Sequence, residues 1–151
     1  MSLLSSLRQD ISDSNQRDSI RNEREEILRD LQWLFNATTA FSIPDTQNAA
    51  TSKMALSSVL NYGLPPFAGA TRHKFHSGYI QEQIRLAIER FEPRLLPDTI
   101  VVSATNANKD QAVGILSFEI KALMQTSVGL DALEILSRID LDTGEVVLME
   151  V

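Results

Sequence analysis

Apolar positions recur along this chain first at helical and then at strand spacing, and the change of period divides it. Leu3, Leu4, Leu7 and Ile11 fall at i, i+1, i+4 and i+8, one face of a short amphipathic helix. Such a helix is marginal alone in water, so it is expected to pack on its own domain or to dock in a partner's groove. Asp13 to Ser19 is polar and unpatterned and reads as a linker. Helical spacing then returns in Ile20, Ile27, Leu28, Leu31, Leu34 and Phe35. Arg21, Glu23, Arg24, Glu25, Glu26, Arg29 and Asp30 occupy the other faces, and Asp18 or Ser19 is placed to cap the start. Residues 36–52, rich in Asn, Thr, Ser and Ala and carrying Pro44, read as a long surface connection. A shorter helix is expected from Lys53 to Asn61, with Gly63 placed to end it. From Ser77 onward Ile80, Ile84, Ala87, Ile88 and Phe91 form another helical stripe, which Pro93 stops.

Beyond that proline the period becomes two. Ile100 to Ser103 is short and β-rich. Leu116, Phe118, Ile120, Ala122 and Met124 alternate with Ser117, Glu119 and Lys121, and Leu133, Ile135, Ile139 and Leu141 alternate with Glu134, Arg138 and Asp140. Asp142-Thr143-Gly144 is a turn into Val146-Val147-Leu148-Met149. Short turns between successive strands require antiparallel pairing, because parallel neighbours need a crossover of roughly a dozen residues. The expected fold class is therefore α+β: N-terminal helices packed on one face of a C-terminal antiparallel β-meander. The expected division is 1–19 as an amphipathic docking segment and linker and 20–151 as a single α+β domain.

Composition narrows the function. A chain of 151 residues with 43% apolar content supports one core. With 14 Lys+Arg against 20 Asp+Glu the net charge is −6, which gives nonspecific nucleic-acid binding no electrostatic source. The charge is uneven: residues 1–35 carry five basic and seven acidic groups, 36–109 seven and five, and 110–151 two and eight. The acid thus belongs to the strand-rich third. Without Cys there are no disulfides, thiolate metal ligands or Cys nucleophile. No apolar run approaches the roughly 20 residues of a bilayer span, and the first residues lack the pattern of a secretory signal. Neither nucleic acid, membrane insertion nor a small-molecule substrate is expected.

Chemistry candidates are few. A glycosidase would need paired carboxylates, one of them held protonated, and Glu82, Glu89, Glu92 and Asp98 are the pool. Arg85 lies three residues after Glu82 and four before Glu89, and Arg94 lies two after Glu92. A nearby guanidinium favours the charged carboxylate, opposite to what a general acid needs, so ion pairs are the expected role. His73 and His76, the only histidines, sit in a basic stretch with Arg72 and Lys74 and lack further metal ligands. Gly63, Gly69 and Gly78 are too scattered to cradle a phosphate. No catalytic residue, metal or cofactor is expected.

Two features outlast these readings. Phe91-Glu92-Pro93-Arg94-Leu95 places opposite charges either side of a rigid proline, and an apolar strand at Val146, Val147, Leu148 and Met149, or the one at Ile100 to Ser103, would template another chain's strand if it lay at a sheet edge.

The blocks Ser58-Val59-Leu60-Asn61-Tyr62-Gly63-Leu64-Pro65 and Ile88-Glu89-Arg90-Phe91-Glu92-Pro93-Arg94-Leu95, followed by Phe118-Glu119-Ile120-Lys121-Ala122 and Ile139-Asp140-Leu141-Asp142-Thr143-Gly144, resemble the TssE family. These are baseplate subunits of type VI secretion systems, similar to the wedge protein of contractile phage tails once labelled a lysozyme. The resemblance implies a non-catalytic, cytoplasmic bacterial protein, held in a baseplate at the inner face of the cell envelope. It implies a sheet like the strand-exchange domain of the contractile sheath, partners among wedge subunits and sheath proteins, and nucleation of sheath polymerisation by strand addition. Carried onto this chain, it implies partner contacts at Glu92, Pro93 and Arg94. Leu3, Leu4 and Leu7 match the family's amphipathic start, and Val146 to Met149 is the strand expected to meet the sheath. The alternative is a lysozyme-like peptidoglycan hydrolase using Glu82, Glu89 or Glu92.

Overall fold

The computed structural model describes residues 3–39, 61–66, 77–105 and 114–151. The expected helix from Lys53 to Asn61, save its last residue, most of the connection at 36–52 and the basic stretch with both histidines lie outside these residues. Helices α1 (Leu3–Asn36) and α2 (Ser77–Phe91) precede β1 (Val101–Ala104), β2 (Ile115–Thr126), β3 (Gly129–Asp140) and β4 (Val146–Glu150). The strands form one antiparallel sheet in the order β1-β2-β3-β4, the α+β meander expected from the change of period.

The sheet is long at its centre because β2 and β3 pair over their whole length, from Ile115 opposite Asp140 to Thr126 opposite Gly129. Alternation then decides the faces. Phe118, Ile120, Ala122, Met124, Leu133, Ile135 and Ile139 are buried on one side, and helical stripes from α1 (Ile27, Leu31, Leu34, Phe35) and α2 (Ile80, Ile84, Ala87, Ile88) close the core over them. The opposite face carries Glu119, Lys121, Glu134 and Arg138, with exposed apolar Val147 and Met149 between charges. Ser137 breaks the apolar series: it is fully buried on the core side and its Oγ has no hydrogen-bond partner. At the last turn Asp140 Oδ1 accepts from the N–H groups of Asp142 (2.8 Å) and Thr143 (3.3 Å), an Asx turn, and Gly144 supplies the positive φ of 76°.

The N-terminal segment differs from its expectation. Asp13 to Ser19 is helix, not linker, and α1 runs without a break for 34 residues, about 50 Å. Asp18 and Ser19 cap nothing, since no helix starts there; the Ser19 hydroxyl instead points to Glu23 Oε1 at 3.4 Å. The segment contains neither Gly nor Pro, and adding residues to an existing helix costs far less than nucleating one, so polar composition alone does not interrupt it. Residues 3–18 are all exposed, with Leu3 82%, Leu4 73%, Leu7 52% and Ile11 59% accessible. Among the described residues, their stripe has no place in the core or in the layer packed against it. No described helix is long and apolar enough to cross a membrane.

Core truncation and polar removal should act in opposite directions. Leu31→Ala, at a fully buried site, should lower stability by about 2–5 kcal/mol, whereas Ser137→Ala, which deletes an unpartnered buried hydroxyl, should be neutral or stabilising by about 1 kcal/mol. Urea unfolding midpoints of the two variants check both.

Candidate functional site

The Phe91–Leu95 segment and the described end of the block before it, Asn61–Pro65, meet at one corner of the molecule. Helix α2 ends at Phe91, and Glu92 N–H still donates to Ile88 C=O at 2.9 Å. Pro93 offers no donor to continue the ladder, and the chain turns out of the helix and into the sheet. Gln125 N–H donates to Arg94 C=O and Leu96 N–H donates to Leu123 C=O, both at 2.9 Å, so the segment after the corner extends along β2 ahead of β1. Leu95, fully buried, is bridged to Met124.

The charges of this corner face inward. Glu92 is 3% exposed. Its Oε1 accepts from Arg94 Nε at 2.7 Å and from the Arg94 backbone N–H at 3.2 Å, and its Oε2 accepts from Arg94 Nη2 at 2.8 Å. The same Nη2 donates to Asp30 Oδ2 at 2.5 Å, and Glu26 Oε2 lies 3.8 Å from Nη1. One guanidinium thus ties the end of α2 to α1. Hydrogen bonds from Arg94 to Glu92 and then to Asp30 hold its proton more tightly than in free arginine, against the opposing effect of burial.

The second block supplies the other wall. Tyr62 meets Phe91 edge to face, with ring centroids 5.3 Å apart, and burial, Asp30 and Glu92 all keep its phenol protonated above the ordinary pKa. Gly63 has φ of 123°, and a Cβ there would strike the Ala37 carbonyl that accepts from Leu64 N–H at 2.9 Å. Glycine is required by this close approach. Asp30, Leu34, Tyr62, Phe91, Glu92, Pro93 and Arg94 together line a groove. Pro93 is exposed, and Arg94, Asp30, Tyr62 and Phe91 are partly so, so a docking surface here consists of groove, proline and guanidinium, with Glu92 beneath.

Glu82 and Glu89, two further acids of the hydrolase reading, are paired as their spacing predicts. Arg85 bonds Glu82 at 2.7 and 3.0 Å and Glu89 at 2.8 Å. The Glu82 carboxyl is held below its ordinary pKa chiefly by that hydrogen bond, whereas a general acid requires the reverse.

The C-terminal strand lies at a sheet edge, as does β1. Val146 is fully buried, Leu148 half-buried, and Val147 and Met149 are each 45% exposed. Its outward backbone is engaged: Val146 N–H donates to Asn36 Oδ1 and Leu148 N–H to Gln32 Oε1, both at 2.9 Å. The expected unpaired template is therefore occupied in this strand, because α1 lies along it. Sequence reasoning puts Asp30 on an outer helix face and Asn36 in the surface connection and does not single out Gln32; the signal for the last two is spacing, since 32 and 36 share a face four residues apart. It also passed over Trp33, 63% exposed with the Arg29 guanidinium 5.4 Å from its ring centre, an aromatic of the kind that anchors interfaces.

A protein-family model described as "Baseplate wedge protein gp25" matches residues 21–128. Neither curated proteins nor solved structures gave a match.

Breaking the corner should be costly and coupled. Arg94→Met leaves the buried Glu92 carboxylate without its partner and should lower stability by about 3 kcal/mol. With Glu92→Gln also present the loss should fall short of the sum of the single variants by about 1–3 kcal/mol, measured as a double-mutant cycle in urea.

Proposed function

The chain belongs to the family of the baseplate wedge protein gp25, a structural part of phage tail-like baseplates, and on that premise we propose that it works in a type VI secretion baseplate, joining the wedge and seeding the sheath. The observation that carries this reading is the convergence of Tyr62 with Phe91, Glu92, Pro93 and Arg94 on one groove within the matched residues. Two short blocks separated by a long stretch of chain are placed together around Arg94, which is the arrangement expected of a recognition surface built on rigid elements.

Three surfaces have separate tasks in this reading. The corner groove, with Pro93 and Arg94 at its rim and Glu92 fixing the guanidinium from below, docks a wedge subunit. The projecting half of α1 offers Leu3, Leu4 and Leu7, with Ile11, as an amphipathic helix for an apolar groove on a neighbouring subunit. The sheet meets the sheath by strand addition, while Val147 and Met149 of β4, beside Val146 and Leu148, contribute exposed side chains on its open face. Partners are wedge and sheath proteins, the location is cytoplasmic at the inner face of the bacterial envelope, and the role involves no cofactor and no catalysis.

Replacing Leu4 and Leu7 by Asp should leave the fold intact, since both are exposed, and should reduce co-purification of wedge subunits from the native cell at least tenfold. Undiminished co-purification would remove the helix from the interface. The purified chain incubated with cell-wall sacculi should release no muropeptides; release abolished by Glu92→Gln would replace the structural reading with the hydrolase.

A further inference from the structure

The two edges of the sheet are not equivalent. In an antiparallel ladder alternate residues turn both backbone groups toward one neighbour. Asp140 N–H donates to Glu145 C=O at 2.9 Å and Val151 N–H to Glu134 C=O at 3.1 Å, so odd-numbered residues of β4 face β3, and Val146, Leu148 and Glu150 face outward. The outward groups meet α1. Besides the two N–H bonds to Asn36 and Gln32, the Val146 C=O accepts from Asn36 Nδ2 at 2.9 Å and from Gln32 Nε2. Farther along, Arg24 bonds Glu150 at 2.6 Å, Asp131 at 2.9 Å and the Ala132 C=O.

Arg24, Gln32 and Asn36 belong to one ridge, spaced by multiples of four with Leu28 between them, and this ridge takes the place that a fifth strand would occupy. It cannot be lifted without withdrawing Ile27, Leu31, Leu34 and Phe35, each 2% exposed or less, from the core. The β4 edge is closed.

The β1 edge differs in kind. Thr105 N–H donates to Ser117 C=O at 2.9 Å, so Val101, Ser103 and Thr105 face β2, and Val102 and Ala104 turn their backbone groups outward. The helix packed near β1 is α2, whose buried face is mostly Ile80, Ile84, Ala87 and Ile88, aliphatic side chains that bond no peptide. Among the described residues, none hydrogen-bonds the outward groups of Val102 or Ala104. The Pro97–Thr99 turn, where Ile100 N–H returns to Pro97 C=O, limits this edge to a short stretch.

We infer that strand addition to this protein is one-sided: an extended segment of the sheath subunit pairs with β1, while α1 seals β4 against strands of any chain. The inference rests on the strand-addition reading and chooses its edge. An edge proline tests it, because proline at an outward-facing position removes a donor for the newcomer and leaves the existing ladder intact.

Val102→Pro should weaken binding of the isolated sheath subunit at least tenfold, and Leu148→Pro should leave it within twofold, with circular dichroism verifying both folds. Loss with Leu148→Pro, alone or together with Val102→Pro, overturns the one-sided assignment and leaves strand addition standing. Unchanged binding in both variants overturns strand addition itself. Amide exchange on the unaltered chain supplies a readout that needs no variant to fold. Val146 and Leu148 should be protected in the free protein, and Val102 and Ala104 should gain protection at least tenfold only when the sheath subunit is added. Gain at Leu148 in place of Val102 would reverse the assignment.

Discussion

Arg94 ties the first helix to the end of the second. Its guanidinium satisfies a carboxylate that the end of α2 buries and reaches at the same time to Asp30 on α1, while its backbone carbonyl accepts from β2. A buried ion pair is a weak source of net stability, since desolvation consumes most of the Coulombic gain, but losing one partner is costly, since it strands the other charge. Helix, helix and sheet are thereby held in one relation. The buried stripe of Ile27, Leu31, Leu34 and Phe35 fixes the rotation of α1 about its axis, and the pairing of Asp30 with Arg94 agrees with it.

That rotation assigns different tasks to the faces of α1. Ile27, Leu31, Leu34 and Phe35 enter the core. Glu26 and Asp30 face the corner, and Arg24, Gln32 and Asn36 run along β4. A sheet edge left bare invites pairing with other chains, and folds deal with it by charge, proline, bulges or a covering element. Here the cover is a helix whose amide side chains reproduce the donors and acceptors of a strand. A helix offers such groups only every three to four residues, so the seal is discontinuous, yet its body excludes a strand along the whole length.

The sequence made the periodic elements legible because burial imposes the period. Residues such as Ile84 and Ile120 are apolar in their rows for the same reason that they are buried, and α2, β2, β3 and β4 were found within a few residues of their limits. Asp13 to Ser19 was misread because a solvated helix has no buried face to mark it; its continuity comes from propagation and not from packing. At the corner, the spacing of Glu92 and Arg94 announced a pair, but spacing carries no depth. A carboxylate beside a helix-ending proline reads as exposed, and it is buried because α1, more than sixty residues earlier, brings Asp30 and Leu34 over it. Gln32 and Asn36 carry only their four-residue spacing as a signal, and spacing alone does not say whether a polar side chain faces water or an edge strand.

The continuity of α1 bears on how the chain associates. Were residues 13–19 a flexible linker, docking the Leu3, Leu4 and Leu7 stripe would require folding the segment and fixing its direction, each opposed by conformational entropy. In one helix the stripe is already formed, and its direction is set at the far end by Arg94 and by the core residues Leu31 and Phe35. Preorganisation of this kind lowers the entropic cost of association without adding a contact. It also links the surfaces of one molecule, because α1 that carries the exposed stripe is the same rigid body that lines the corner groove and covers β4. A partner holding the stripe meets a corner and a sheet edge whose positions are already determined, so geometry as well as affinity selects which neighbours can be engaged together.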